Sequence, residues 1–202
     1  MLQFKNITVY RGGTAICRDL FLEIGRGTTL IISGKNSSGK SSLISCITTG
    51  IKPTSGQILL DHHDLHQLSS REKKLFLESS GIVLQQDSLL PFDSVSSLLA
   101  RTQANLKDVS DLLTYFGLSM TQDRLVQELS TSQKKKLELI LSLLKNPKLL
   151  IWDEPFMSLD EESKEKMKSK LLQLKTSGTT IVIATNNFDT FNFLNPEKII
   201  KL

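Results

Sequence analysis

With 202 residues, 39% of them hydrophobic and 23% charged, the chain is sized for one globular domain and too apolar for a disordered one. It can bury enough surface to fold without a staple, and its two cysteines, Cys17 and Cys46, make neither a disulfide scaffold nor a metal knuckle. A formal net charge of +4 suits an anionic ligand but falls short of a nucleic-acid-binding surface, and no apolar run reaches the roughly 18 residues of a membrane span.

The start, Met1 to Asn6, lacks the layout of a signal peptide, so a cytosolic type of chain is expected, with membrane association made through a partner. Leu2 to Tyr10 alternates apolar and polar residues, the pattern of a half-buried strand; Arg11-Gly12-Gly13 turns it, and Leu20 to Ile24 alternates again. After the turn Gly25-Arg26-Gly27, the β-branched run Thr28 to Ser33 predicts a strand covered on both faces. Thr54-Ser55-Gly56 turns into a short strand, Gln57 to Leu60. From about Ser94 to Lys145 the period becomes helical: Leu106, Val109, Leu112, Leu113 and Phe116 form one stripe stopped by Gly117, and Leu137, Ile140, Leu141 and Leu144 a second. Strands return at Leu149 to Trp152, Thr180 to Ala184 and Lys198 to Leu202. Between the first two lies the charged helix Glu161 to Lys175, whose Glu162, Lys166 and Lys170 read as a solvated face. The order predicts an α/β fold with a parallel core sheet and an N-terminal antiparallel part. Residues 1–84 and 148–202 form the expected core, with 85–147 inserted as a helical subdomain.

Gly34-Lys35-Asn36-Ser37-Ser38-Gly39-Lys40-Ser41 fits the phosphate-loop pattern G-x-x-x-x-G-K-[ST], between an apolar strand and a helix that continues through Ser42. Glycines let the backbone curl so that successive N–H groups converge on a phosphate at a helix N-terminus that already favours anions. Lys40 then reaches the β- and γ-phosphates of a bound nucleotide, and Ser41 offers its hydroxyl to Mg²⁺. The apolar strand Leu149 to Trp152 runs into Asp153 and Glu154. Strand C-termini of a parallel sheet face the ligand crevice, so Asp153 is placed to hold Mg²⁺ and Glu154 to polarise an attacking water. Asp61-His62-His63-Asp64-Leu65-His66 reads as a polar turn after a strand, with a metal site as the alternative.

Together these residues resemble the ATP-binding subunit of an ATP-binding cassette (ABC) transporter, over essentially the whole chain. Smaller motifs follow in that family's order. Tyr10, ahead of Arg11-Gly12, matches the aromatic that stacks on adenine. Gly81 to Gln85, followed by Leu89-Leu90-Pro91, looks like the Q-loop, which implies that Gln85 reaches Mg²⁺ and the water. Leu129-Ser130-Thr131-Ser132-Gln133 sits where the signature motif belongs, although Ser130 and Gln133 also fit a helix-capping box. Ser158-Leu159-Asp160 matches the D-loop. The resemblance implies ATP and Mg²⁺ as ligands, with Ser130, Ser132, Gln133 and Asp160 serving a nucleotide shared between two cassettes. It also implies a membrane-spanning permease subunit, a peripheral location on the cytoplasmic face of a bacterial inner membrane or organellar equivalent, and docking through the helical block and Gln85 to Pro91, tested at Asp87 to Phe92.

Departures from the family pattern lower the expected turnover. Thr131 and Ser132 replace the signature glycines and Asn186 stands at the switch histidine; Ser37 replaces a common loop glycine at a position that tolerates variation. Asn186 can donate an amide hydrogen bond but cannot carry a proton. A slow ATPase is therefore expected, with an ATP-responsive regulatory module and a small phosphate-loop kinase as the competing readings. In length the chain is similar to the haem-export cassettes of cytochrome c maturation and to division-site cassettes.

Overall fold

The computed structural model describes residues 1–86 and 88–202. Two strands, β1 (Leu2–Arg11) and β2 (Thr14–Ile24), form a hairpin across Gly12 and Gly13, both with positive φ. β3 (Thr29–Ser33) then leads through a loop into helix α1 (Lys40–Ile47). β4 (Ser55–Leu60) and β5 (His63–Asp64) return to the N-terminal region. After α2 (Ser70–Ser79) and β6 (Gly81–Val83) come three helices, α3 (Val95–Arg101), α4 (Leu106–Tyr115) and α5 (Thr131–Leu144). β7 (Leu149–Asp153), α6 (Glu161–Thr176), β8 (Thr180–Thr185) and β9 (Lys198–Lys201) complete the order.

The strands divide into an antiparallel sheet, order β2-β1-β4-β5, and a parallel sheet, order β6-β7-β8-β3-β9. Side chains alternate across the parallel sheet. Leu30, Ile32, Leu149, Ile151, Val182 and Ala184 join α1 and the antiparallel sheet in one apolar cluster. Their neighbours Ile31, Leu150, Trp152, Ile181 and Ile183 join residues of α3, α4, α5 and α6 in another. Both faces are covered, which is why these strands read as unbroken apolar runs. Trp152 is anchored further: its indole N–H donates to Ser142 Oγ on α5 at 3.1 Å.

The structure extends and corrects several expectations. β2 begins at Thr14 rather than near Leu20, because its first half is held by pairing with β1 although none of it is fully buried and it lacks apolar alternation. Helix α2 was not expected. It buries little but Phe76, so no stripe marks it, and a capping box formed by Ser69 and Glu72 starts it. The charged face of α6 is not wholly given to solvent. Lys166 and Lys170 lie 5.5 and 5.6 Å from the centroid of the Tyr115 ring, a cation–π contact that fastens α6 to α4.

In the histidine-rich turn, Asp61 and His62 have positive φ, His63 Nδ1 lies 2.9 Å from the Asp61 carbonyl, and His66 Nε2 lies 2.9 Å from that of Cys46. No cluster of metal-ligating side chains occurs among the described residues, so the polar-turn reading is the one the geometry supports. No described helix is long and apolar enough to cross a membrane.

Candidate nucleotide site

The parallel sheet directs chemistry to one edge. β3 ends at Ser33 beside Thr185 of β8, and Asp153 of β7 pairs with Ala184. The residues that follow or end four of the strands are therefore the phosphate loop, Gln85 after β6, Asp153 and Glu154 at β7, and Asn186 after β8. This is the carboxyl end of an open parallel sheet, where ligands of such folds bind.

The loop between β3 and α1 takes its shape from backbone choices. Gly39 has φ 102°, and a Cβ there would strike the Ile16 side chain of β2, so neither the angle nor the space admits another residue. Ser37 adopts φ 64°, a left-handed conformation that costs a non-glycine residue about 1–2 kcal/mol. The replaced glycine is thus felt as strain, while the loop keeps its curve. Lys40 is 5% exposed and donates to the Gly34 and Lys35 carbonyls at 2.9 and 3.0 Å. Its Nζ also lies 3.5 Å from Glu154 Oε1. The ammonium is held by its own loop, aimed across the crevice at a carboxylate.

Ser41 Oγ donates to Gln85 Oε1 at 3.1 Å, joining α1 to the segment after β6. Asn186 Nδ2 donates to Asn36 Oδ1 at 3.0 Å, joining the end of β8 to the phosphate loop. A cavity of about 620 Å³ is lined by Asn36 to Ser42, Gln85 and Glu154, and by Arg11, Thr14, Ala15 and Ile16. A second space of about 260 Å³ meets it at Asn36, Gln85 and Glu154 and continues to Asn186 and Lys164.

Asp153 is 1% exposed, and its Oδ1, like Glu154 Oε1, is buried without a hydrogen-bond partner. Burial pushes the Asp153 carboxyl up, opposed by the Ser41 hydroxyl and the charges of Lys40 and Lys135. Burial likewise raises Glu154, against the pull of Lys40. Glu154 sits at φ 47°, its N–H held by the Ala184 carbonyl at 2.9 Å. The Asp153 carboxylate, with Oδ1 unpartnered, the Ser41 hydroxyl and the Gln85 amide oxygen make up an all-oxygen donor set of the kind a hard divalent cation accepts.

The structure does not bring every expected residue to this crevice. Tyr10 lies outside the cavity wall, exposed at the end of β1, with the Arg18 guanidinium 5.7 Å from its ring centroid. Its neighbour Arg11 is there instead, donating to Ser42 Oγ at 3.1 Å, a role that no spacing in the sequence announces. Ser130, Ser132, Gln133 and Asp160 line neither space. Ser130 and Gln133 cap α5 reciprocally, at 3.2 and 2.9 Å, and Ser132 Oγ is buried without a partner. Asp160 caps α6 through the Ser163 N–H and pairs with Lys136 at 2.8 Å, which holds its carboxyl well below the usual carboxylate range.

Comparison with known proteins agrees with this geometry. The family model described as "ABC transporter" matches residues 17–157. The glutamine transport ATP-binding protein GlnQ of Escherichia coli is 28% identical over 92% of this chain and 81% of the relative. The cell division ATP-binding protein FtsE of Bacillus subtilis is 27% identical over 98% of this chain and 91% of the relative. The solved structure of a dimeric ATP-binding cassette in a post-hydrolysis state, bound to ADP and Pi, superposes with a TM-score of 0.86 at 25% identity, covering 100% of this chain and 94% of that one. The length likeness to cytochrome c maturation cassettes gains no support from these relatives. Phosphate loop, acidic strand end, sheet order and family match converge: the chain belongs to the ABC transporter family, as an ATP-binding and ATP-hydrolysing subunit.

Proposed function

We propose that this subunit works as one of two cassettes that close on ATP and thereby drive a membrane-spanning permease. The observation that carries this reading is a division of residues. Lys40, Ser41, Gln85, Glu154 and Asn186 face one continuous crevice, whereas Ser130, Ser132, Gln133 and Asp160 lie off it. Within one chain the second group has no nucleotide to meet; in a pair each set faces the partner's crevice. A γ-phosphate bound from both sides is then a removable cross-link, present before hydrolysis and gone after it.

In this reading the backbone from Gly34 to Ser42 cradles the phosphates, and Lys40 leaves its loop carbonyls to neutralise them. Ser41, Gln85 and Asp153 would hold Mg²⁺, which supplies charge neutralisation at the phosphoryl oxygens. Glu154 accepts the proton of the attacking water, an assignment supported by its burial and raised pKa. Tyr10, exposed next to the Arg11 that lines the cavity, contributes a stacking face for adenine. Asn186 donates to the γ-phosphate without exchanging a proton, so turnover is slow. Asn186→His is accordingly expected to raise single-turnover hydrolysis several-fold; an unchanged rate removes Asn186 as the restraint.

The helical subdomain, 85–147, and the segment after Gln85 form the docking surface for the permease. Leu90 and Phe92 are 64% and 79% exposed there, apolar area suited to burial in a complex; Asp87 of that segment lies outside the described residues. Such docking puts the subunit on the cytoplasmic face of the membrane. The test is light scattering of the Glu154→Gln chain. With MgATP its mass is expected to double from 22.6 kDa; a mass that stays single while ATP is bound contradicts pairing between copies of this chain.

A further inference from the structure

Three consecutive lysines, Lys134 to Lys136, follow the first turn of α5, and the middle one turns inward. Lys135 is 3% exposed and Glu138, one turn later, is also 3% exposed; Nζ and Oε2 are 2.8 Å apart. A buried ion pair costs more desolvation than its attraction returns unless its remaining valences find partners. Here they find backbone. Lys135 Nζ donates to the Leu84 carbonyl at 3.2 Å. Glu138 Oε1 accepts from the Ser88 N–H at 2.8 Å and from the Ser88 hydroxyl at 2.9 Å.

Leu84 and Ser88 bracket Gln85, whose amide oxygen accepts from Ser41. The same helix begins with Ser130 as its cap and is tied to β7 through Ser142 and Trp152. Two apolar residues would fill this space at lower desolvation cost, but they would leave a carbonyl and an N–H without directional partners. We propose that Lys135 and Glu138 are positioning residues for ATP hydrolysis: a buried ion pair that fastens the backbone on both sides of Gln85 to α5. It sets the place of the Gln85 amide beside Ser41 together with the place of Ser130 to Gln133. The proposal rests on the role of Gln85 given above.

The test is a double-mutant cycle on the full chain, read by single-turnover hydrolysis of MgATP and by nucleotide affinity. Glu138→Gln is expected to slow hydrolysis about tenfold with MgATP affinity within about twofold of the parent, as misplacement of a reacting group does. In a Gln85→Ala background the same substitution is expected to cost less than about twofold, because there is no longer an amide to place. Lys135→Leu combined with Glu138→Leu orphans no charge, so the chain still folds while the rate falls; this variant carries the comparison if Glu138→Gln does not fold. A rate within twofold of the parent, an equal loss in both backgrounds, or a parallel loss of MgATP affinity overturns the proposal. If Gln85→Ala alone keeps the parent rate, the role of Gln85 fails, and this proposal with it.

Discussion

Replacing Lys40 by alanine is expected to weaken ATP binding by roughly 100-fold, about 2.7 kcal/mol. The argument starts from where the ammonium sits. It is buried, satisfied by two loop carbonyls, and 3.5 Å from Glu154 Oε1. A hydrogen bond to a charged group contributes about 1.5–3 kcal/mol, and the triphosphate takes over the bonds that the carbonyls hold in the free chain. Alanine removes the cation from a crevice that retains the Glu154 carboxyl, with Asp153 buried next to it in the chain, so an incoming polyanion meets negative charge without its counter-charge. The Glu154 carboxyl, already raised by burial, loses the charge that opposes the rise and moves further up. Titration with a fluorescent ATP analogue measures the loss; an affinity within threefold of the parent would show that the backbone cradle suffices without Lys40.

Glu154→Gln is expected to separate binding from turnover and, in addition, to stabilise the nucleotide-free chain. Binding depends on the phosphate loop, which the substitution leaves intact, so affinity stays within about threefold. Hydrolysis falls roughly 100-fold or more, the usual contribution of a positioned general base.

The stability effect follows from burial. Burial holds the folded-state pKa of Glu154 above its ordinary 4.5, so the folded chain binds this proton more tightly than the unfolded chain does. The stabilisation from this group is complete below 4.5 and is lost as pH rises through the folded value. Glutamine has no proton to lose. Thermal unfolding is therefore expected at higher temperature in Glu154→Gln than in the parent at pH 7, with the difference vanishing near pH 4. A difference that stays constant with pH contradicts the burial argument.

The legible parts of this protein are those where a single backbone constraint selects residue type. The phosphate loop needs glycine at position 39 because of φ and of Ile16, and a lysine and serine at the helix start. Asp153 and Glu154 stood out because an apolar strand covered on both faces ended in charge. The capping box at Ser130 was equally local.

What escaped the sequence depends on distant packing. The Asn36–Asn186 bond spans 150 positions. Which of three adjacent lysines turns inward at α5 is decided by Glu138, Leu84 and Ser88, not by the pattern Lys134-Lys135-Lys136. Arg11 enters the site because the turn of the β1–β2 hairpin lies over α1, and α2 escaped because it buries only one large side chain. In each case a tertiary contact, rather than a propensity, supplies the reason.

Single-turnover hydrolysis of MgATP by the purified chain, set against Glu154→Gln under identical conditions, tests most directly whether this crevice is a working ATPase despite Asn186 and Ser132. Hydrolysis by the parent roughly 100-fold or more faster than by the variant, with both binding ATP, is the predicted result. Equal rates with ATP bound in both would mean that Glu154 activates no water in this chain, and that ATP acts here only as a ligand that changes its shape.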